Sequence, residues 1–221
     1  MKLPRPVKAV VFDMDGLLFD TEKLYGRAIL TAAQELGVEM TMDVFYLCVG
    51  TPWTENRARM IEAYGADYPA EALRVAWMRH FKLLANDGIE LKPGVVAMLD
   101  LLDELGLPRA IATSSGHSTV QHHLGAHGLL ERFHHVIAAG DYARSKPAPD
   151  PFLAAAAKLG RDPRDCLALE DSLNGVRSAS SAGMMTVMVP DLIAPTDEIR
   201  TLCAAVAGSL VDVPGLVRAA R

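Results

Sequence analysis

Short apolar segments alternate with helical patterns from Pro93 onwards, and this alternation constrains the fold more than any other feature. Strands are predicted at 109–112, 136–139, 166–169 and 185–189, with helices at 118–124, 152–159 and 173–182 between them. Strands that alternate with helices in this way form βαβ crossovers, which build a parallel sheet with helices on both faces. Residues 205–211 are predicted to add one further strand.

The first 90 residues differ in character. A buried strand is predicted at 7–12, and a helix with apolar residues at four-residue steps follows it and ends at Gly37, with Asp20 or Thr21 as its cap. Residues 38–90 contain no convincing strand, and two helices are predicted there, one opening at Thr51-Pro52 and one after Pro69. The sequence therefore predicts an α/β protein with a Rossmann-like parallel-sheet core at 1–17 and 91–221 and a helical insertion at 18–90.

Composition and charge argue against several classes of protein. Half of the 221 residues are apolar and the formal net charge is −5, which argues against nucleic acid or a membrane surface as a partner. No apolar run reaches the length of a membrane span. The three cysteines are odd in number and far apart, which suits a reducing cytoplasm and argues against disulfides or structural zinc. Cys48 is accordingly predicted to be an inert buried thiol.

Polar residues follow four of the predicted strands. Ligands of an open parallel sheet bind beyond the carboxyl ends of its strands, so these residues mark a candidate site. They are Asp13 and Asp15 after the first strand, Thr113 to Ser115 after the second, Lys146 in the loop after the third, and Glu170 and Asp171 after the fourth.

Each group also has an ordinary structural explanation. Asp171 or Ser172 can cap the following helix, Thr113 to Ser115 can form a turn, and Lys146 alone is most often a surface charge. Asp13 and Asp15 resist such an explanation, because carboxylates against a buried strand are costly to desolvate unless a cation compensates.

Taken together, the residues indicate phosphoryl transfer. Asp13, Asp15 and Asp171, with Glu170 as a further candidate, offer the hard oxygen ligands that bind magnesium. Thr113 and Lys146 offer donors for phosphate oxygens.

A second metal site is conceivable among the histidines. His123 and His127 are four residues apart and can face the same way on a helix. No acid completes that set, so a solvated helix end is the expected environment of this region. The other histidines nearby are His122, His134 and His135.

Four segments of the chain, "DMDG", "ATSS", "KPAPD" and "EDSLNG", resemble the four ordered motifs of the haloacid dehalogenase-like hydrolases. The resemblance extends from about Lys8 to Val213, and the helical insertion resembles the cap of this family. The segment "DMDGLLFDTEKLY" is most similar to the family's small-metabolite phosphatases, with the β-phosphoglucomutases as close relatives.

The resemblance implies a cytoplasmic Mg²⁺-dependent phosphoric monoester hydrolase acting on a sugar phosphate or a nucleoside monophosphate-like compound. Asp13 would be the nucleophile that forms an aspartyl-phosphate, and Asp15 the acid and base, because an alkoxide needs a proton as it leaves. The acid at position 15 also argues against the dehalogenase and phosphonate branches. A monomer or weak dimer is expected.

The remaining roles also follow from the resemblance. Thr113 and Lys146 would hold the transferred phosphoryl group. The metal would be held by Asp13, the backbone carbonyl of Asp15 and Asp171, with Glu170 bound directly or through water. The predicted substrate-binding residues are Gly16, Thr113, Ser114, Lys146, Tyr25 and Trp53.

Two alternatives remain. A phosphomutase of the β-phosphoglucomutase type is the nearest, although Tyr25 stands where mutases usually have histidine and Trp53 where they tend to have arginine. A non-catalytic phosphate-sensing protein on the same fold is the other. Such proteins often lose a motif residue, whereas this chain keeps them all.

Overall fold

The structure is a computed structural model that describes residues 3–49, 51, 53–86 and 88–220. It divides into two compact units, one formed by Met1–Phe19 with Leu91–Arg221 and the other by Asp20–Glu90. Pro52, which was predicted to open a helix, lies outside the described residues. No helix of the described segments combines the length and hydropathy that a bilayer crossing requires.

The first unit contains a six-stranded parallel sheet, which confirms the predicted α/β class. Its strands are β1 (Ala9–Phe12), β2 (Arg109–Ala112), β3 (His135–Ile137), β4 (Cys166–Glu170), β5 (Met185–Met188) and β6 (Ala205–Val206). They lie in the order β3-β2-β1-β4-β5-β6.

Helices flank the sheet. Numbered after the four helices of the second unit, they are α5 (Val95–Glu104), α6 (His117–Ala126), α7 (Asp150–Lys158), α8 (Leu173–Ser181), α9 (Asp197–Leu202) and α10 (Val213–Arg218). Helix α7 packs against the first three strands and α8 against β4 and β5.

The position of β1 determines where a ligand can bind. This strand is buried along its whole length and lies between β2 and β4. After β1 the chain adds β2 and β3 on one side of it and then crosses back to add β4 on the other side. Such a switch point opens a crevice at the carboxyl ends of the strands. The residues that follow β1, β2 and β4 therefore meet at one edge.

The second unit is helical, with α1 (Thr21–Leu36), α2 (Met42–Cys48), α3 (Trp53–Tyr64) and α4 (Ala70–Asn86). The apolar faces of these helices form its core, where Ile29, Phe45, Met60 and Leu73 are buried. The predicted stripe of α1 is correct at Leu24, Ala28 and Ala32, but Leu36 is exposed. Gly37 ends α1 in the left-handed conformation, as the sequence predicted.

Several local predictions were wrong. Helix α2, which is capped by Thr41, was not predicted. It has only two turns and buries only Phe45 and Cys48, so its sequence shows no recognisable helical repeat of apolar residues. The strand predicted at 205–211 covers only Ala205–Val206, since Ser209 caps a short 3₁₀ turn directly after it. Asp20 occupies the N-cap position of α1 but makes no capping hydrogen bond, and its carboxylate pairs with Lys23 instead.

Candidate active site

Asp13 follows the last residue of β1, the strand that lies between β2 and β4. Its backbone N–H donates a hydrogen bond to the carbonyl of Leu169 at 2.9 Å, which continues the ladder between β1 and β4. The residue is only 7% exposed. Asp13 is thus held by the sheet itself, with its carboxylate at the carboxyl edge.

Lys146 connects Asp13 with Glu170. Its ammonium donates a short hydrogen bond to Asp13 Oδ1 and another, of 2.6 Å, to Glu170 Oε1. The side chains of Lys146 and Glu170 are 7% and 0% exposed, so the three charges form a buried network rather than a surface salt bridge. Reading Lys146 as a surface charge is therefore incorrect.

Burial and mutual repulsion act on the charges of this network. Burial raises the pKa of Asp13, repulsion from Glu170 and Asp15 adds to the rise, and Lys146 opposes it. Burial acts to lower the pKa of Lys146, but attraction to Asp13 and Glu170 outweighs it and raises that pKa above its usual value. Lys146 is therefore charged, and any further positive charge beside Asp13 would favour its ionised, nucleophilic form.

Three carboxylates form a group suited to a cation. Asp13, Glu170 and Asp171 each offer an oxygen atom, and these atoms lie within 4.8 Å of one another. Oxygen donors of this kind bind hard divalent cations, and several buried acids opposite the Lys146 ammonium leave a local excess of negative charge. The donor set therefore fits a divalent metal ion. The Asp15 side chain is not a member of this group.

Two glycines make room for these acids. A side chain at Gly16, whose φ is +83°, would collide with the Asp171 carboxylate, and one at Gly175 would collide with that of Glu170. Close approach of backbone to carboxylate thus requires glycine at both positions. The backbone N–H of Gly16 donates a hydrogen bond to the Phe19 carbonyl at 3.0 Å.

The capping interpretation of this region is correct for Ser172. Its hydroxyl accepts a hydrogen bond from the Gly175 N–H at 3.0 Å and so caps α8. The Ser172 N–H and hydroxyl also donate to Glu170 Oε2, at 3.0 and 2.9 Å. Ser172 therefore orients Glu170 as well as the helix.

The side chain of Asp15 is hydrogen-bonded to the loop after β2. Its Oδ2 accepts a hydrogen bond of 2.7 Å from the Ser115 hydroxyl. Burial raises the pKa of Asp15, and the hydrogen bond from Ser115 and the nearby His123 act against the rise. A carboxyl group with a raised pKa keeps its proton more readily than an ordinary aspartate, which suits a proton donor.

The three hydroxyl residues after β2, Thr113 to Ser115, differ in their surroundings. Thr113 is buried, and its Oγ1 accepts a hydrogen bond of 3.0 Å from the Ser115 N–H. Ser114 is exposed. Ser115, for which no role was predicted, donates a hydrogen bond to Asp15, and the Thr113 hydroxyl also lies within reach of that carboxylate. The position of Ser115 in the same hydroxyl cluster was the signal that could have identified it.

Tyr25 and Trp53 belong to the helical unit. The Tyr25 ring stacks on Phe81 at a centroid distance of 3.8 Å, and its carbonyl accepts from the Trp77 indole. Trp53 donates to Glu71 at 2.9 Å and lies under the Arg74 guanidinium. The contacts described for both rings lie within that unit, so their assignment to substrate binding stays a prediction.

A solvated helix end was the wrong expectation for His123. This residue is 5% exposed, because the face of α6 that carries it packs against Phe19 in the same unit. His123 and His127 both contact the ring of Phe19, at centroid distances of 5.5 and 5.7 Å. Their spacing of four residues therefore serves aromatic packing, and the acid group found in the described residues includes no histidine.

The environment of His123 predicts acid sensitivity. Burial lowers its pKa below the usual 6.5, Asp15 opposes this effect, and His122 and His127 add to it. At His123 the folded chain then binds fewer protons than the unfolded chain. The free energy of unfolding therefore falls as the pH drops below about 6.5. When the pH is lowered from 7.5 to 5, we expect the melting temperature of His123→Leu to fall less than that of the wild type.

The control for this prediction is His122→Leu, at the exposed neighbouring position on α6. It is expected to change the pH dependence of the melting temperature much less. A difference between His123→Leu and wild type that stays constant across the pH range would contradict the prediction.

The cysteines take no part in the site. Cys48 and Cys166 are buried and Cys203 is half-buried, and all three are free thiols. Burial raises the pKa of each thiol, that of Cys166 to about 11. Cys48 therefore has the inert character predicted for it.

Comparison with known proteins identifies the family. The sequence model of the haloacid dehalogenase-like hydrolase family matches residues 7–183 of the chain. The chain belongs to this family, as the four motifs predicted.

Individual relatives agree with this. A probable pseudouridine-5′-phosphatase of Drosophila melanogaster is 38% identical over 86% of the chain and 84% of the relative. Hexitol phosphatase B of Escherichia coli K12 is 32% identical over 96% and 97%. A Thermotoga maritima structure provisionally described as a β-phosphoglucomutase has a TM-score of 0.80 at 25% identity, covering 96% and 99%. The predicted enzyme class, a phosphoric monoester hydrolase, is confirmed.

Proposed function

We propose that the chain is a Mg²⁺-dependent phosphatase of small phosphorylated metabolites that acts through an aspartyl-phosphate on Asp13. The observation that carries this proposal is the division of labour between the two acids after β1. Asp13 is hydrogen-bonded in the buried network with Lys146 and Glu170, whereas Asp15 accepts a hydrogen bond from Ser115. This difference supports Asp13 as the nucleophile and Asp15 as the acid and base.

Asp13 attacks the phosphorus atom and the ester oxygen leaves as Asp15 protonates it. Asp15 then takes a proton from the water molecule that hydrolyses the aspartyl-phosphate, which restores both acids. Lys146 and Thr113 hold phosphoryl oxygens, and Gly16 and Ser114 lie on the loops that follow β1 and β2. Asp13, Glu170 and Asp171, with the Asp15 carbonyl, would hold a divalent cation, which would supply positive charge that offsets the repulsion between nucleophile and substrate.

The substrate class rests on the relatives. Two of them are named for phosphorylated small molecules, a pseudouridine phosphate and a hexitol phosphate. We propose a sugar phosphate or a nucleoside monophosphate-like compound, selected by the helical unit through residues that include Tyr25 and Trp53. The helical unit, Asp20–Glu90, would act as the cap of the catalytic unit.

A phosphomutase is the second candidate, since a structure described as a β-phosphoglucomutase shares the fold. Both enzymes would phosphorylate Asp13, but a mutase returns the phosphoryl group to a sugar whereas a phosphatase gives it to water. The side chain of Tyr25 is packed between aromatic neighbours and offers no imidazole for sugar-phosphate handling.

The test is a panel of phosphorylated sugars, nucleosides and small acids, with p-nitrophenyl phosphate as a generic ester and Mg²⁺ present. Phosphate release and sugar-phosphate isomerisation are measured in the same reactions, with and without a sugar bisphosphate. We expect stoichiometric phosphate release and no isomer. Isomer formation without net phosphate release would identify a mutase, and no turnover of any ester would refute both.

A further inference from the structure

We infer that Ser115 is a positioning residue that fixes the orientation of the Asp15 carboxyl group. This inference rests on the proposed function, in which Asp15 is the acid and base. Ser115 and Asp15 are 100 residues apart in sequence, yet the serine hydroxyl donates to Asp15 Oδ2 at 2.7 Å. The bond therefore connects the loop after β2 with the loop after β1.

The backbone of Ser115 is anchored on both sides. Its N–H donates to Thr113 Oγ1 at 3.0 Å, and its carbonyl accepts from the Ala139 N–H at 2.9 Å. These bonds join the serine to the ends of β2 and β3. Its hydroxyl is consequently presented to Asp15 from a rigid support, as a preorganised site requires.

Backbone contacts fix the loop that carries Asp15 but not its side chain. Asp15 forms an isolated bridge with Phe19, and the N–H groups of Leu18 and Phe19 donate to the Met14 carbonyl. The Asp15 carboxylate accepts the hydrogen bond from Ser115, and the Thr113 hydroxyl also lies within hydrogen-bonding reach of it. Ser115 is the stronger of these two constraints on the side-chain torsions of Asp15.

The kinetic consequence depends on the leaving group. An alkyl ester needs proton donation far more than p-nitrophenyl phosphate does, since nitrophenolate is stable without a proton. We expect Ser115→Ala to reduce kcat/KM about tenfold for the best alkyl ester of the panel and much less for p-nitrophenyl phosphate. Ser115→Thr, which keeps the hydroxyl, should recover most of the loss, and Ser118→Ala on the exposed face of α6 should have no effect.

A role for Ser115 in binding phosphate would give a different result. Ser115→Ala would then weaken inhibition by inorganic phosphate and lower kcat/KM equally for both esters. Under the positioning role, inhibition by phosphate is unchanged.

A double-mutant cycle isolates the contact with Asp15. In the Asp15→Asn background Ser115→Ala should cost nothing further, because the group it positions is already lost. The same fold-loss in both backgrounds would overturn the inference while leaving the proposed function intact.

A crystal structure of Ser115→Ala provides a test that does not depend on activity. We expect the Asp15 carboxyl group to rotate away from its wild-type orientation. Retention of that orientation without the hydroxyl would overturn the inference even if the proposed function had failed.

Discussion

Asp13→Asn is expected to lower phosphate release by a factor of about a thousand or more, because an amide is not a competent nucleophile. The amide oxygen still accepts a hydrogen bond, so the contact with Lys146 survives the change. Initial rates with p-nitrophenyl phosphate and with the best substrate of the panel measure the effect, and circular dichroism verifies the fold.

Asp165→Asn is the matched control for this variant. Asp165 directly precedes β4, at the end of the strand opposite to Glu170, and its carboxylate pairs with Lys8 at 2.7 Å. Removing this partly exposed ion pair should cost at most about 1 kcal/mol of stability and leave turnover unchanged. Near wild-type activity of Asp13→Asn would show that the nucleophile is another group.

Removal of divalent metal should abolish turnover, and Mg²⁺ should restore it. Without the cation, the excess negative charge of Asp13, Glu170 and Asp171 would oppose the approach of a phosphate dianion. A chelator followed by buffer exchange provides the metal-free protein, and a Mg²⁺ titration of activity measures recovery.

The same site predicts an effect on stability that needs no substrate. Mg²⁺ at a hundred times its Kd should stabilise the folded chain by about 2.7 kcal/mol, seen as a rise in melting temperature. Asp171→Asn should weaken Mg²⁺ binding by about a hundredfold, whereas Asp165→Asn should not change it. Full activity after chelation, together with a melting temperature insensitive to Mg²⁺, would contradict the metal site.

Much of the fold was predictable because the strands of the core carry strong local signals. Residues 109–112 were predicted as a strand and form β2, and β4 and β5 differ from prediction by one residue at one end. Strands that are buried on both faces are short apolar runs whatever their partners, so they can be recognised from the sequence alone. Helix α2 has no such signal, since two turns around Phe45 and Cys48 give too few buried positions.

The grouping of Asp13, Lys146, Glu170 and Asp171 at one edge of the sheet was predictable, but the contacts of individual side chains were less so. Strand order brings the residues after β1, β2 and β4 together, and the sequence indicated each of those ends. The partners of individual side chains depend on three-dimensional geometry that spacing does not encode. Ser115 reaches Asp15 from 100 residues away, and Lys146 pairs with Glu170 as well as Asp13. Burial of His123 against Phe19 likewise depends on how α6 packs.

Covalent trapping can identify the nucleophile without a physiological substrate. The Asp15→Asn variant lacks the base for the second step, while p-nitrophenolate still leaves without an acid, so a phosphoenzyme should accumulate. Rapid acid quench, proteolysis and mass spectrometry locate the phosphoryl group. We expect one phosphoryl group per chain on Asp13 and a burst of p-nitrophenol ahead of phosphate. A phosphoryl group on another side chain, or simultaneous release of both products with Asp13 unmodified, would contradict it.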